Sequence, residues 1–158
     1  MPTIQPSLWF DGNAEEAVAF WSTVFPNSST VRTSRFGPDS PGPEGGVMAI
    51  DFVLDGRPFV AINGGPQFPF TEAVSFTIPC TDQAEVDHYW FALIADGGQE
   101  SECGWLKDRF GVSWQVVPEI LNELIADPDR DRSSRAVQAM LRMKRLVIAD
   151  LVSAAEGR

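Results

Sequence analysis

The residues of this chain that could carry chemistry are few, and they offer little acid–base or metal chemistry. His88 is the single histidine, which excludes every metal site that needs two or three imidazoles from one chain. It lies in a predicted helix between Asp87 and Tyr89, where a solvent-facing or partly packed side chain is expected. The two cysteines, Cys80 and Cys103, form no CxxC motif, which indicates reduced thiols in a cytosolic protein.

Cys103 and Asp51 are the two side chains whose reactivity or charge needs an explanation. Cys103 stands beside Gly104 and Trp105, and a pocket thiol can act as a nucleophile. No histidine lies nearby in sequence to serve as its base, so we favour a buried, small apolar role for Cys103. Asp51 interrupts the apolar segment VMAIDFVL and either borders a cavity or, as we favour, lies at an edge facing water.

Amide, hydroxyl and aromatic side chains recur with the alternation of β-strands, which would gather them on one face of a sheet. The set assigned to this face is Gln5, Ser7 and Trp9, then Phe59, Ala61 and Asn63, then Ser75 and Thr77, then Ser113, Gln115 and Val117. Apolar walls with a few polar groups are typical of a small-molecule pocket. The alternative is that Gln5, Ser75 and Gln115 only satisfy one another's hydrogen bonds.

The elements that must position these residues begin with a segment whose pattern predicts β-α-β-β-β. Residues 3–10 alternate as a strand, and the capping-box pattern from Asn13 to Glu16 opens an amphipathic helix to about Phe25. Strands follow at 29–36, 47–54 and 57–63, the last two joined by an Asp55-Gly56 turn that is typical of a hairpin. The Gly- and Pro-rich run 37–46 predicts a flexible loop.

The same order starts again after a second Gly- and Pro-rich stretch. A strand at 73–78, a helix capped by Asp82 with Glu85, and strands near 100–106 and 112–117 give β-α-β-β, with room for one more short strand. Pro118 opens a helix, Ser133 or Ser134 is the expected cap of another, and a last one is expected over 147–155. We therefore predict an α+β domain over 1–158, with a first βαβββ module at 3–65, a second module at 73–118 and a helical tail at 119–156.

Composition excludes several classes of function. The chain has 158 residues, 44% of them hydrophobic and 22% charged, which is typical of a globular domain rather than of a disordered or fibrous chain. Its net charge of −10 repels phosphate backbones, so a nucleic-acid partner is not expected. No long apolar stretch follows a basic N-terminus, and neither secretion by a signal peptide nor a membrane partner is expected.

Four strings of the sequence resemble the PhnB-like family of the vicinal oxygen chelate superfamily, a family also labelled 3-demethylubiquinone-9 3-methyltransferase. They are LWFDGNAEEAVAFW (8–21), DGRPFVAINGGPQFPF (55–70), AVSFTIPC (73–80) and CGWLKDRFGVSWQVVP (103–118). The resemblance implies a glyoxalase-like fold of paired βαβββ modules around a cup, and a homodimer. The sequence shows no Gly-rich loop of the nucleotide-binding type after a strand, so it does not itself indicate methyl transfer.

The resemblance also implies where a metal would bind, since enzymes of the superfamily hold a divalent ion with His and Glu from four strands. The matching positions here are Gln5 on the first strand, Ala61 or Asn63 on the fourth, Ser75 on the fifth and Gln115 on the last. None is a histidine or a carboxylate, and amides and hydroxyls alone bind a divalent ion weakly. We therefore predict no metal and no other cofactor.

Three hypotheses about function follow. The first is a metal-free homodimer that binds a small organic molecule in the cup, as related binding and resistance proteins do. Its expected ligand contacts are Gln5, Ser7, Trp9, Asn63, Ser75, Cys103, Trp105 and Gln115, with no catalytic residue assigned.

The second hypothesis is an enzyme. It would be a metal-dependent lyase, isomerase or dioxygenase with overlooked ligands, or a metal-free enzyme that uses Cys103. The carboxylates that could supply such ligands are Glu72, Glu100, Glu102 and Glu119. The third hypothesis is a protein-interaction module that makes its contact through the helical tail.

Overall fold

Within residues 3–158, which the computed structural model describes, each half of the chain forms a four-stranded sheet with the same strand order. The first sheet has the order β1-β4-β3-β2 and the second β5-β8-β7-β6. In each, the first and last strands of the module run parallel, while the other pairs are antiparallel. The repeated strand order confirms the α+β class and the paired βαβββ modules. The helices that follow the last strand confirm the C-terminal helical extension.

The chain divides into two compact units, the first ending at Phe70 and the second running from Thr71 to Arg158. The elements of the first unit are β1 (Ser7–Phe10), α1 (Ala14–Val24), β2 (Ser29–Arg35), β3 (Val47–Leu54) and β4 (Arg57–Asn63). Those of the second unit are β5 (Ser75–Cys80), α2 (Gln83–Ile94), β6 (Gln99–Glu100), β7 (Trp105–Lys107), β8 (Ser113–Pro118), α3 (Glu119–Ile125), α4 (Arg130–Met140) and α5 (Ile148–Ala155). The single strand expected near 100–106 is wrong: residues 101–104 form a turn that separates the short strands β6 and β7, and this gives the extra strand for which the pattern left room.

The core of the first unit forms where α1 covers one face of its sheet. The apolar positions of α1 recur at helical spacing, and Trp21 is fully buried among aromatic rings. Its ring stacks on Phe52 of β3 at a centroid distance of 6.1 Å and lies 5.9 Å from Phe10 of β1. Aromatic contacts of this kind add to the stabilisation that burial alone provides.

The helix caps follow the sequence pattern in one module and depart from it in the other. At α2, the Asp82 carboxylate accepts a hydrogen bond from the Glu85 backbone N–H at 2.9 Å, as the capping pattern predicts. At α1, the Asn13 side chain makes no cap hydrogen bond, and the Ala14 N–H instead donates to Oδ1 of Asn63 at 3.0 Å. The expected capping box at Asn13 is therefore wrong, and the first N–H of the helix is bound instead by a side chain that is distant in sequence.

The helical tail packs on itself and attaches to the second module. Its buried core is formed by Leu121, Leu124, Ala136, Leu146, Leu151 and Ala155. The side chain of Gln83 in α2 accepts from the Ile148 N–H at 2.8 Å and donates to the Leu146 carbonyl at 3.2 Å. At α4, the cap is Asp129 rather than Ser133 or Ser134, since its carboxylate accepts from the N–H groups of the first turn.

The turn between β7 and β8 is built around a buried carboxylate. Asp108 is 3% exposed, and its Oδ1 accepts from the N–H groups of Phe110 at 2.9 Å and Val112 at 3.1 Å. Its Oδ2 accepts from the indole N–H of Trp114 at 2.9 Å. A buried charge is tolerated when donors surround it in this way. Asp108 therefore holds the turn that leads into β8.

Candidate functional site

The side chains of the first unit's open face, which α1 does not cover, can be assigned from strand register. Ser7 pairs with Val60 and Trp9 with Ile62 in the parallel β1–β4 ladder, so these four side chains share that face. Asn63 pairs with Phe10, which is buried under α1. The expectation that Phe59, Ala61 and Asn63 share a face with Trp9 is therefore wrong.

Two charged side chains on the same open face form an ion pair with each other. Asp51 of β3 faces Val60 across the ladder, and its carboxylate forms an ion pair with the Arg32 guanidinium of β2 at 2.6 Å. The Arg32 side chain is 72% exposed, and Asp51 is half-buried. Asp51 is thus a paired group on a partly wetted face, and a pair this exposed contributes little to stability.

A pocket of about 640 Å³ lies at the end of the first sheet where β1 and β4 finish and β3 begins. Its walls are mostly apolar, with aromatic rings from Trp9 and Phe36. The lining residues are Trp9, Asp11, Gly12, Glu15, Phe36, Pro41, Gly42, Pro43, Gly46, Val47, Met48, Ile62, Asn63, Gly64 and Gly65. A pocket of this size and character is typical of a site for a small organic molecule.

Glycines fix the two aromatic rings of this pocket. A Cβ at Gly64 would overlap the Trp9 ring, and a Cβ at Gly42 would overlap the ring of Phe36. The Trp9 indole N–H also donates to the carbonyl of Gly65 at 2.9 Å, while Phe68 meets the Trp9 ring edge-on at 5.0 Å. The rings can approach the backbone closely only because these positions lack side chains.

Residues 37–46, in the loop between β2 and β3, close the pocket on one side. They form no helix or strand, as their composition predicts, but they are held by backbone hydrogen bonds. The Phe36 N–H donates to Gly46 O and the Gly45 N–H to Phe36 O, both at 2.9 Å. The Arg35 guanidinium adds a bond to the Gly45 carbonyl at 2.9 Å.

Charge in this pocket is of one sign. Asp11 and Glu15 are exposed carboxylates at its edge, and no basic side chain is among its lining residues. The amide of Asn63 is already engaged, since it accepts from Ala14 N–H and donates to the Val47 carbonyl at 3.0 Å. Sequence reasoning missed Asp11 and Glu15 because it read this segment only as a helix start.

In the second unit, the predicted parity holds. Ser75 and Thr77 of β5 pair in register with Ser113 and Gln115 of β8, so all four side chains lie on one face. The Gln115 amide donates to Ser75 Oγ at 2.9 Å. Such a hydrogen bond between these side chains was expected from the sequence as the alternative to contact with a ligand.

A small second pocket, about 130 Å³, lies beside these residues and includes Trp105, Lys107 and Ser113. Trp105 pairs with Gln115 across the β7–β8 ladder. The Lys107 ammonium is bound to the Glu72 carboxylate, and this hydrogen bond holds the pKa of Glu72 below its usual value. The Ser113 hydroxyl is buried with no hydrogen-bond partner among the described residues.

The remaining predicted contacts lie apart from both pockets. Gln5 is exposed and precedes β1, and Ser7 is the exposed first residue of that strand. Cys103 lies in the turn before β7, where its N–H donates to the Met143 carbonyl of the tail at 2.8 Å. Of the eight predicted contacts, the larger pocket brings together Trp9 and Asn63. Ligand binding by the set stays a prediction.

Neither thiol is activated. Burial raises the pKa of Cys80 to about 12, and nearby Glu85 adds to the effect. Burial also raises the pKa of Cys103, with a further contribution from Glu102. A nucleophilic cysteine needs a lowered pKa, because the thiolate is the reactive form. This geometry does not favour a reaction that begins with Cys103.

The positions implied for a divalent metal do not fit one. In the first unit, Gln5 lies outside the strand, Ala61 has no donor, and the Asn63 amide caps α1. In the second unit, Gln115 and Ser75 bond to each other. Within residues 3–158, no group of three or more His, Cys, Asp or Glu side chains could hold a metal ion. This donor set lacks the anionic or imidazole groups that offset ion dehydration.

Two of the four carboxylates named as possible metal ligands already have partners within the protein. Glu72 is bound to Lys107, and Glu100 accepts a hydrogen bond from the indole N–H of Trp90 at 3.0 Å.

No helix among residues 3–158 has the length and apolar character needed to span a bilayer.

Comparison with known proteins gives matches of sequence and of fold. The family described as 3-demethylubiquinone-9 3-methyltransferase matches residues 2–117. A structure of a PhnB protein from Bacillus cereus is 34% identical, with a TM-score of 0.67, and the match covers 74% of this chain and 99% of that one. A Pseudomonas aeruginosa protein is 26% identical over 75% and 98% of the two chains, with a TM-score of 0.61.

A more distant match shows the fold alone. The fosfomycin resistance protein FosX from Listeria monocytogenes, in a structure with Mn(II) and sulfate, is 18% identical. The match covers 72% of this chain and 88% of that one, with a TM-score of 0.51. A comparison with curated proteins finds no match.

Proposed function

The chain belongs to the PhnB-like family described as 3-demethylubiquinone-9 3-methyltransferase, within the vicinal oxygen chelate superfamily, and from that premise we propose that it binds a small organic molecule without a metal. The site is the pocket at the end of the first sheet. The observation that carries the proposal is the 640 Å³ space itself, walled by the rings of Trp9 and Phe36. Both rings are held against glycine backbone, so the pocket is formed before a ligand arrives.

The metal-free part of the proposal is supported by the donor chemistry of the matching positions. The Asn63 amide already caps a helix, and the Gln115 amide already bonds to Ser75. A divalent cation would have to displace these hydrogen bonds, although amides bind such an ion only weakly. A metal-dependent lyase, isomerase or dioxygenase would need ligands elsewhere. The homodimer and the cytosolic location implied earlier remain parts of the same proposal.

We expect divalent metals to leave the melting temperature of the full chain unchanged. A site filled at 100 times its Kd would add about 2.7 kcal/mol to the free energy of unfolding, which raises Tm by roughly 5–10 °C for a chain of this size. The measurement is a thermal melt against manganese, nickel, zinc, iron(II) and magnesium, with elemental analysis of the purified protein. Stoichiometric metal with a matching rise in Tm would overturn the metal-free proposal.

We expect Ile62→Trp to weaken ligand binding by filling the pocket. Val60 is the matched control, because it lies two residues earlier on the same strand and face, is also half-buried, and does not line the pocket. Compounds that stabilise the wild-type chain in a small-molecule thermal screen should bind Ile62→Trp at least about tenfold more weakly, by calorimetry. Val60→Trp should keep wild-type affinity. Equal affinity in both variants, or a screen without binders, would contradict the proposed function.

A further inference from the structure

We propose that the pocket of the first unit selects organic cations, namely aromatic or aliphatic molecules that carry an amine or quaternary ammonium group. This inference rests on the proposed function and adds the charge of the ligand to it. The carboxylates of Asp11 and Glu15 lie at an otherwise apolar pocket with no basic side chain in its lining. Within residues 3–158, neither carboxylate has a hydrogen-bond or ion-pair partner.

The helix N-terminus beside the pocket does not cancel this charge. Acidic residues in a first helical turn often only complement the helix dipole, and Glu15 and Glu16 both lie in the first turn of α1. The dipole, however, is equivalent to about +0.5 of an elementary charge. Asp11 and Glu15 together carry two negative charges, so the pocket edge keeps an excess of roughly −1.5.

The surroundings of the pocket strengthen the same sign. The loop that closes it carries Asp39 and Glu44, both exposed. The nearby cation Arg35 points its guanidinium to the Gly45 carbonyl and is not among the lining residues. The charge of the whole chain is −10, so a cation is attracted at long range as well.

The walls determine the rest of the ligand. Trp9, Phe36, Met48 and Ile62 offer aromatic and aliphatic surface to an apolar body. The carboxylates stand at the edge, where a charged head remains partly hydrated and pays little for desolvation. An apolar body with a cationic head therefore satisfies both parts of the pocket, whereas an anionic head would meet two carboxylates.

The experiment compares three probes that share one skeleton: 2-naphthylmethylamine as the cation, 2-naphthylmethanol as the neutral molecule and 2-naphthoate as the anion. Calorimetry on the full chain at pH 7 should find the amine about fivefold to tenfold tighter than the alcohol, and the carboxylate weakest, since each of the two exposed charge pairs changes affinity by about two- to fivefold. Added salt should reduce the preference.

The double variant Asp11→Asn with Glu15→Gln tests the assignment of the charge. It keeps the shape of both side chains, and it should weaken the amine about tenfold while leaving the alcohol unchanged. Glu16→Gln is the matched control, because Glu16 is an exposed neighbour on α1 that does not line the pocket. It should change the affinity for the amine less than about twofold.

Each outcome decides the inference. Equal binding of the three probes, or an unchanged amine affinity in the double variant, overturns the cation preference and leaves the pocket intact. Absence of binding by all three probes also overturns it. The proposed function is decided separately by the small-molecule screen with Ile62→Trp and Val60→Trp.

Discussion

Replacing Asp108 with alanine is expected to lower the free energy of unfolding by about 3–5 kcal/mol. The substitution removes the acceptor for two backbone N–H groups and the Trp114 indole, all at a site that is 3% exposed. Buried donors left without acceptors cost far more than an average hydrogen bond contributes. Urea denaturation followed by circular dichroism measures the effect.

Two variants make this result specific. Asp108→Asn keeps one acceptor oxygen but brings an N–H₂ group toward the existing donors, so we expect an intermediate loss. Asp39→Ala removes an exposed carboxylate from the loop of the first unit and should change stability by less than about 0.5 kcal/mol. A loss for Asp108→Ala as small as that for Asp39→Ala would show that the turn does not depend on the carboxylate.

Leu146→Ala is expected to cost about 3–5 kcal/mol, because it removes a fully buried side chain from the core of the helical tail. Leu146 also contacts the turn before β7, where a Cβ on Gly104 would lie 3.0 Å from the Leu146 Cδ1 atom. The backbone beside it accepts from the turn as well, since the Gly104 N–H donates to the Lys144 carbonyl at 2.8 Å. We expect the tail to loosen from the second module in this variant.

Leu141→Ala is the matched control, with the same side-chain deletion five residues earlier. Leu141 is 52% exposed, so its removal should cost less than about 1 kcal/mol. Urea melts give the two free energies, and limited trypsin digestion reports on the tail, which contains Arg135 and Arg142. Equal stability and equal digestion rates in the two variants would mean that the tail core contributes nothing to the second unit.

Sequence patterns predicted the local structure well because its causes are local. The strands β3 and β4 have the bounds that were expected, since Asp55 and Gly56 supply the positive φ angles of a tight turn. The helix α2 begins with the predicted Asp82 cap, because this carboxylate bonds to the N–H of Glu85, only three residues away. Each signal lies within a few residues of the structure that it determines.

The face assignments depended on information that the sequence does not contain. On β4, both parities are largely apolar, so the pattern alone could not decide which side faces α1. The decision comes from the register of Ser7 opposite Val60, which is set by tertiary packing. On β8, polar Ser113 and Gln115 alternate with apolar neighbours, and there the predicted parity is right.

The candidate site was predicted only in part. Trp9 was assigned to a pocket, and it does line one. The loop 37–46 was read as a flexible connection, because hydrogen bonds such as Phe36 N–H to Gly46 O cannot be inferred from glycine content. Asn63 also lines the pocket, but its hydrogen bond with Ala14, a residue far away in sequence, could not be inferred from the sequence pattern.

The parallel pairing of first and last strands sets the order in which each module can fold during synthesis. The β3–β4 hairpin is local and can form within microseconds of its emergence from the ribosome. The β1 strand must wait for β4, since Ser7 finds its partner only at Val60. Such distant pairing slows folding, and nascent chains fold from the N-terminal end. The first sheet can therefore close before β8, the parallel partner of β5, has been made.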